Sequence, residues 1–322
     1  MTLRQARNVT VVAVAMLASL LPFTVAEEAT PAVRVEADLA RSCYAAHAGF
    51  GSWWMLDGNE FYRVDLRDNS VRRVPVNGLQ SWHGAVTVGN GAVWIGDTHT
   101  TVYKIDPQKE QVVQEVRVEL DQPSTAYWSL AAAEGAVWVL VGNEKLGRYS
   151  ATSGAEEAVI RLPSNSSRVL VAFGSVWVTG TGNDELYRID PTTNQIVATI
   201  ELRARPTLLA AGDGAIWVFN ERDGTIQRID GKSGKQLATI ETEAVGQAQM
   251  TFGGGFVWVV TVTGTLIQVD PHTNSVRHKL KAPTEDPVNT YFFGIAYEDS
   301  SLWMCGIALK AAHLAYRIAP PM

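Results

Sequence analysis

Apolar residues in this chain come in short runs, not in helical stripes, and the runs recur at a near-constant interval. The clearest reads Gly174-Ser175-Val176-Trp177-Val178, with close copies at Gly91-Ala92-Val93-Trp94-Ile95, Gly135-Ala136-Val137-Trp138-Val139 and Gly214-Ala215-Ile216-Trp217-Val218. Looser copies hold Trp54, Trp258 and Trp303, so the seven tryptophans stand 40, 44, 39, 40, 41 and 45 residues apart. A second run follows each Trp, as in Leu186-Tyr187-Arg188-Ile189-Asp190-Pro191, Val102-Tyr103-Lys104-Ile105-Asp106-Pro107 and Leu266-Ile267-Gln268-Val269-Asp270-Pro271. A third is β-branched, as in Ile196-Val197-Ala198-Thr199-Ile200, and a fourth is small or apolar, as in Thr207-Leu208-Leu209-Ala210-Ala211. Runs this short, bounded by Gly and by Asp-Pro turns, predict strands. Pro presets φ at the second turn position, and Asp bonds the backbone beyond it.

Four strands per unit and seven units predict an all-β fold, a seven-bladed β-propeller of four-stranded antiparallel blades. One four-stranded sheet cannot hide both faces by itself. Stacked around an axis, each sheet buries its faces against its neighbours, so Trp177 is flanked by valines where a half-exposed strand would alternate with polar residues. The last repeat stops at its third strand, near Arg317-Ile318, and Val33-Arg34-Val35-Glu36-Ala37-Asp38-Leu39 resembles a fourth strand. An N-terminal strand is therefore expected to complete the last blade and remove two open edges. Cys43 and Cys305, the two cysteines of the chain, stand on opposite sides of that seam and are expected to point to the same face of the disc. They form a bridge if their Cα separation permits, and two buried thiols are the alternative.

Residues 1–26 read as a secretory signal. Arg4 and Arg7 precede the apolar run Val9–Leu21, and small residues stand before Glu27. The remainder, 27–322, reads as a single propeller domain, periplasmic or secreted and monomeric. No later run is apolar enough to span a membrane. Without Arg4 and Arg7 the 27 basic residues fall to 25 against 33 acidic, a net charge of −8. That balance argues against nucleic acid as a partner.

The Gly-small-apolar-Trp-apolar, Tyr-Arg-Ile-Asp-Pro and Thr-Asn-Gln-Ile-Val-Ala-Thr-Ile segments together resemble secreted bacterial propellers of the YVTN/YncE-like group. The chain is also similar to the streptogramin B (virginiamycin B) lyase superfamily. The likeness covers residues 33–319 and lies in blade residues, so what it implies is the fold. For activity, the second resemblance implies metal-dependent elimination with a His acid/base and Mg²⁺ at one mouth of the channel.

Propeller ligands sit at the axis, on the face where the inner strands begin. Counting back from each Trp places Trp82 and His83, Tyr127 and Trp128, Arg168, Arg205, Gln247 and Gln249, and Tyr291, Phe292 and Phe293 at that mouth. Aromatic walls with few polar groups suit a small ligand or a peptide. Arg168 and Arg205 offer forked donors to a carboxylate. His83 and His99, with Asp97, are the catalytic candidates. The repeated Asp65, Asp106, Asp190, Asp230 and Asp270 suggest a metal array only on paper, because each closes a turn in its own blade. No HExxH, paired CxxC, GxSxG or phosphate-binding Gly loop is present, so no metal site is assigned. The expectation is an exported propeller binding a peptide, protein or small molecule at this mouth, non-catalytic and without a cofactor. The alternative is a lyase of the streptogramin type, with Mg²⁺, or a hydrolase, using His83 or His99.

Overall fold

Each Gly-small-apolar-Trp-apolar segment is the second strand of a four-stranded sheet, and there are seven such sheets. The computed structural model describes residues 33–80, 84–98, 100–119, 129–141, 144–163, 165–262, 264–282, 290–308 and 314–320. Blades one to six span 45–74, 85–117, 129–161, 169–201, 206–241 and 248–281, each an antiparallel meander in chain order. Blade seven takes its first three strands from Thr290–Glu298, Ser301–Ala308 and Ala315–Ala319. Its fourth is the N-terminal strand Arg34–Asp38, paired antiparallel with Ala315–Ala319. Each inner strand contacts those of the two neighbouring blades, blade seven meeting blade one, so the ring is closed. No described helix is long and apolar enough to cross a membrane.

The tryptophans form the wedges. All seven are buried, and each packs on the residues that flank the Trp of the next blade. Trp177 lies against Ile216 and Val218, Trp217 against Val257 and Val259, and Trp303 against Trp53 and Met55 across the seam. Burying one such ring removes on the order of 200 Å² of surface. At about 25 cal/mol per Å² that is a gross gain of about 5 kcal/mol per seam. The indole N–H donates to the carbonyl five residues back in six blades, at 3.0–3.3 Å.

The turns between first and second strands are two-residue loops with both residues at positive φ, for example Asn90 (53°) and Gly91 (73°), or Asp213 (52°) and Gly214 (70°). These are the dihedrals of a hairpin turn whose twist matches its strands. Close packing of the inner strands fixes a second glycine. A Cβ on Gly89 would lie 1.7 Å from the carbonyl oxygen of Ala132 in the next blade. The Asp-Pro turns join third to fourth strands on the same face. Asp106, Asp190, Asp230 and Asp270 accept from backbone N–H groups two or three residues on, at 2.6–3.4 Å. That is the structural role expected of them.

A cation lies over the Trp in six blades: Arg63, Lys104, Arg148, Arg188, Arg228 and Arg317, 5.1–5.6 Å from the ring. Each reaches the third-to-fourth turn of the next blade. Lys104 donates to Ala151 O (2.6 Å), Arg188 to Lys232 O (2.7 Å), and Arg228 to Pro271 O (2.5 Å) and Asn274 Oδ1 (3.0 Å). Arg63 pairs with Glu110, and Arg148 donates to Pro191 O. Arg317 crosses the seam to Leu66 O at 3.0 Å. Blade six has Gln268 opposite Trp258 instead. Its neighbour, blade seven, has no such turn, because its fourth strand comes from the other end of the chain.

A disulfide joins Cys43 and Cys305, with Cα atoms 5.6 Å apart and both side chains buried. Cys43 precedes the inner strand Ala45–Gly49 of blade one, and its N–H donates to Gly306 O of blade seven. Cys305 lies within the second strand of blade seven, Ser301–Ala308. The seam is thus held covalently toward one face and by Arg317 toward the other.

Candidate functional site

The inner strands run from the mouth to the turn face, and their residues are small or apolar: Ala45 and Ala46, Ala85 and Val86, Leu130 and Ala131, Val169 and Leu170. Polar groups near the axis therefore stand out. Trp82, His83, His99, Tyr127 and Trp128 lie outside the described residues. The other candidates separate clearly.

Arg168 stands just before the inner strand of blade four, Val169–Ala172. Its backbone is locked on both sides: its N–H donates to Thr179 Oγ1 (3.0 Å) and its carbonyl accepts from Thr179 N–H (3.1 Å). The preceding Ser167 hydroxyl bonds Thr179 Oγ1 (3.0 Å), Thr181 Oγ1 (2.9 Å) and Thr207 O (3.3 Å) in blade five. Thr181 Oγ1 in turn donates to Pro206 O at 2.7 Å. This hydroxyl cluster fixes where the arginine starts. Among the described residues its guanidinium donates to the Ser167 carbonyl, at 3.0 Å, and no carboxylate pairs with it. Surrounding protein strips it of water, and that desolvation pulls its pKa below the ordinary arginine value. Water still reaches it, since the residue is only half-buried.

Arg205 has the same side chain and a different setting. It is 53% exposed, its Nε lies 3.4 Å from Glu221 Oε2, and its backbone sits at φ 61°. Its N–H donates to Asp184 Oδ1 at 2.7 Å. A register shift between Pro206 and Leu208 follows it. Arg205 is thus compensated within its own blade, by Glu221.

Gln249 is half-buried on the inner strand of blade six, while Gln247 is exposed just before it. Tyr291 is exposed (38%) and Phe292 is not (2%). The sequence count set Phe292 at the mouth, but it packs with Trp258, Leu280 and Leu302 between blades six and seven. The cause is a bulge between Phe292 and Gly294, which shifts the pairing by one residue and turns Phe292 inward. The neighbouring Phe293 is half-buried and stacks on Tyr44 of blade one, with ring centroids 5.8 Å apart at 28°. Tyr44 has no repeat signature and was not among the sequence candidates. Its position before an inner strand was the available signal.

Asp97 is buried, and its Oδ1 accepts from Thr101 N–H at 2.9 Å, a turn role. No cluster of three or more His, Cys, Asp or Glu that would hold a metal occurs among the described residues. His47 lies mid-strand on the inner strand of blade one, with Nδ1 2.9 Å from Ala48 O. Like Arg168 it is reached by water yet ringed by protein, and desolvation pushes its imidazole below the usual histidine range.

No protein-family model matches this sequence, and no curated protein does. Among solved structures the chain is similar to the crystal structure of BamB from Moraxella catarrhalis. The TM-score is 0.61 at 12% sequence identity, over 86% of this chain and 84% of that one. At that identity the likeness shows the propeller fold alone.

Proposed function

We propose that this chain is an exported, non-catalytic propeller that binds a peptide, protein or small molecule at the mouth where its inner strands begin, through an anionic group on the ligand. The observation that carries this is Arg168, a desolvated guanidinium on a backbone anchored by the Thr179 hydroxyl and facing no carboxylate among the described residues. Stripping a cation of water without supplying a counter-charge is unfavourable, and an arriving anion relieves it. Forked N–H donors suit carboxylate and phosphate. Export is supported by the signal-like residues 1–26, the resemblance to secreted propellers and the buried disulfide.

The test is thermal unfolding against a panel of carboxylates, phosphate and sulfate. An anion that binds the native state raises the midpoint by mass action. At least one should do so for the wild type and not for Arg168→Gln. A panel in which no anion stabilises the wild type more than the variant would remove this function. The lyase or hydrolase alternative rests on His83 and His99, and no described contact favours it.

A further inference from the structure

We propose that the turn face carries a second, separate interaction surface, an arc of Phe50, Glu134 and Phe173. It takes an extended segment of a partner protein that has a lysine or arginine between two apolar side chains. All three residues hold the first position of the two-residue turn that joins first to second strands. These turns are the innermost points of that face, and every one of them lies within the described residues. Around the ring the position reads Phe50, Asn90, Glu134, Phe173, Asp213, Gly254 and Asp299. The inner strands of blades one to four are successive neighbours, so the first four form one continuous arc.

Phenylalanine is costly here in two ways. Phe50 has φ 56° and Phe173 has φ 54°, in the left-handed region that bulky residues rarely enter and that Asn, Asp or Gly fill at such turns. Both are also exposed, at 47% and 42%. One exposed apolar side chain is ordinary. Two at the same strained turn position are not, and strain of this kind clusters where a surface has a function. The next blade makes room for one of them. A Cβ on Gly231 would lie 2.2 Å from the Phe173 ring, and Gly231 stands where blades two, four and six have Pro107, Pro191 and Pro271.

Between the two rings stands an acid that the fold does not use. Glu134 is exposed, with no hydrogen bond or ion pair among the described residues. Its turn is fixed from blade two, where Asn90 Oδ1 accepts from Gly135 N–H (2.9 Å) and Asn90 Nδ2 donates to Ala136 O (2.8 Å). The other two acids of the ring are paired within their own blades, Asp213 with Arg228 (2.5 Å) and Asp299 with Arg317 (3.4 Å). The exposed cations in the outer turns of blades one and two are also taken, Arg67 by Asp65 (2.7 Å) and Lys109 by Asp106 (3.5 Å). The arc therefore presents apolar, acidic and apolar points in that order. Its ends are three blades apart, a span that suits an extended chain rising about 3.3 Å per residue. The rings supply apolar contact, and a cation opposite Glu134 sets the register.

Selection of a displayed random dodecapeptide library on the immobilised protein tests this. Wild type should enrich peptides with Lys or Arg between two Leu, Met or aromatic residues. The folded double variant Phe50→Asn/Phe173→Asn should bind synthetic copies of those peptides at least tenfold more weakly. Glu134→Lys should exchange the basic preference for Asp or Glu. Phe50→Asn alone should raise the thermal midpoint by about 1–2 °C, because Asn suits the left-handed turn. A lowered midpoint would make Phe50 a structural residue and overturn its role here. No enrichment over a bare support, equal binding by the double variant, or a basic preference that survives Glu134→Lys overturns the surface. A wild-type dimer in sedimentation that the double variant abolishes would make this face a contact between copies of the chain, and would also overturn the partner. Failure here leaves the Arg168 reading intact: Arg168→Gln should select the same peptides, and the double variant should keep the wild-type response to anions.

Discussion

The turn face of the disc and the mouth of its channel use the same side chain to opposite ends. On the turn face each blade cation reaches a carbonyl or carboxylate of the next blade's turn. Arg228 lies 5.1 Å from the Trp217 ring centroid and donates to Pro271 O, Asn274 Oδ1 and Asp213 Oδ2. At the mouth Arg168 has one carbonyl and no acid among the described residues. Both sites keep a guanidinium away from bulk water. On the turn face the charge is consumed in holding two blades together. At the mouth nothing within the described fold consumes it. A desolvated charge is therefore diagnostic only after its partners have been counted.

Stability measurements should separate the two most sharply. Arg228→Ala leaves two acceptors and a carboxylate unpaired and uncovers Trp217, and should cost about 2–3 kcal/mol. Arg168→Gln removes a charge that no carboxylate offsets among the described residues, and should leave stability unchanged or raise it by up to about 1 kcal/mol. Urea denaturation of both variants reads this directly. Equal losses would make Arg168 another structural cation and end its candidacy as a ligand anchor.

The same contrast shows what the sequence could disclose. A ring demands the same solution at every seam, so Trp, the paired cation and the Asp turn recur, and recurrence is visible. The blade cation was visible as a motif position, but its use was not, because its partners lie 43 to 47 residues further along the chain in the next blade for Arg63, Arg148 and Arg228. The mouth has no such repetition. Arg168 and Arg205 look alike in the sequence. What separates them is one bulge and Glu221, and register shifts carry no sequence mark here. The bulge after Phe292 misled in the same way, turning a mouth candidate into core.

Acid should probe the two regions in different windows. On the turn face the Arg67 guanidinium and backbone N–H hold the Asp65 carboxyl well below the carboxylate range. A depressed folded pKa means stability present above the unfolded value, about 4, and lost as pH falls below it. On the inner strand of blade one His47 is also depressed, so its neutral form is favoured in the folded state. The unfolded chain then takes up that proton first, and stability declines as pH drops below about 6.5. Urea midpoints between pH 8 and pH 3 should show both declines. His47→Gln should flatten the upper one and Asp65→Asn the lower one. If His47→Gln leaves the slope between pH 6.5 and 5 as it was, the imidazole is not desolvated as described.

The smallest expected effect tests the comparison where the turn face itself breaks its rule. Gln268 is buried opposite Trp258, and its Oε1 has no hydrogen-bond partner. If the cation owed its stabilising effect to the indole alone, Gln268→Arg would help blade six by about the cation–π amount, 1–2 kcal/mol when desolvated. If the next blade's turn is what matters, the new guanidinium finds no carbonyl to receive it. Blade seven closes with the strand Arg34–Asp38 and has no turn there. Gln268→Arg should then bring no gain in chemical denaturation. Gln268→Met, which keeps the length and drops the unpaired oxygen, should gain about 0.5–1 kcal/mol. A clear stabilisation by Arg would mean that the Trp face alone recruits the cation. Its absence would tie the missing cation of blade six to the way the ring is closed.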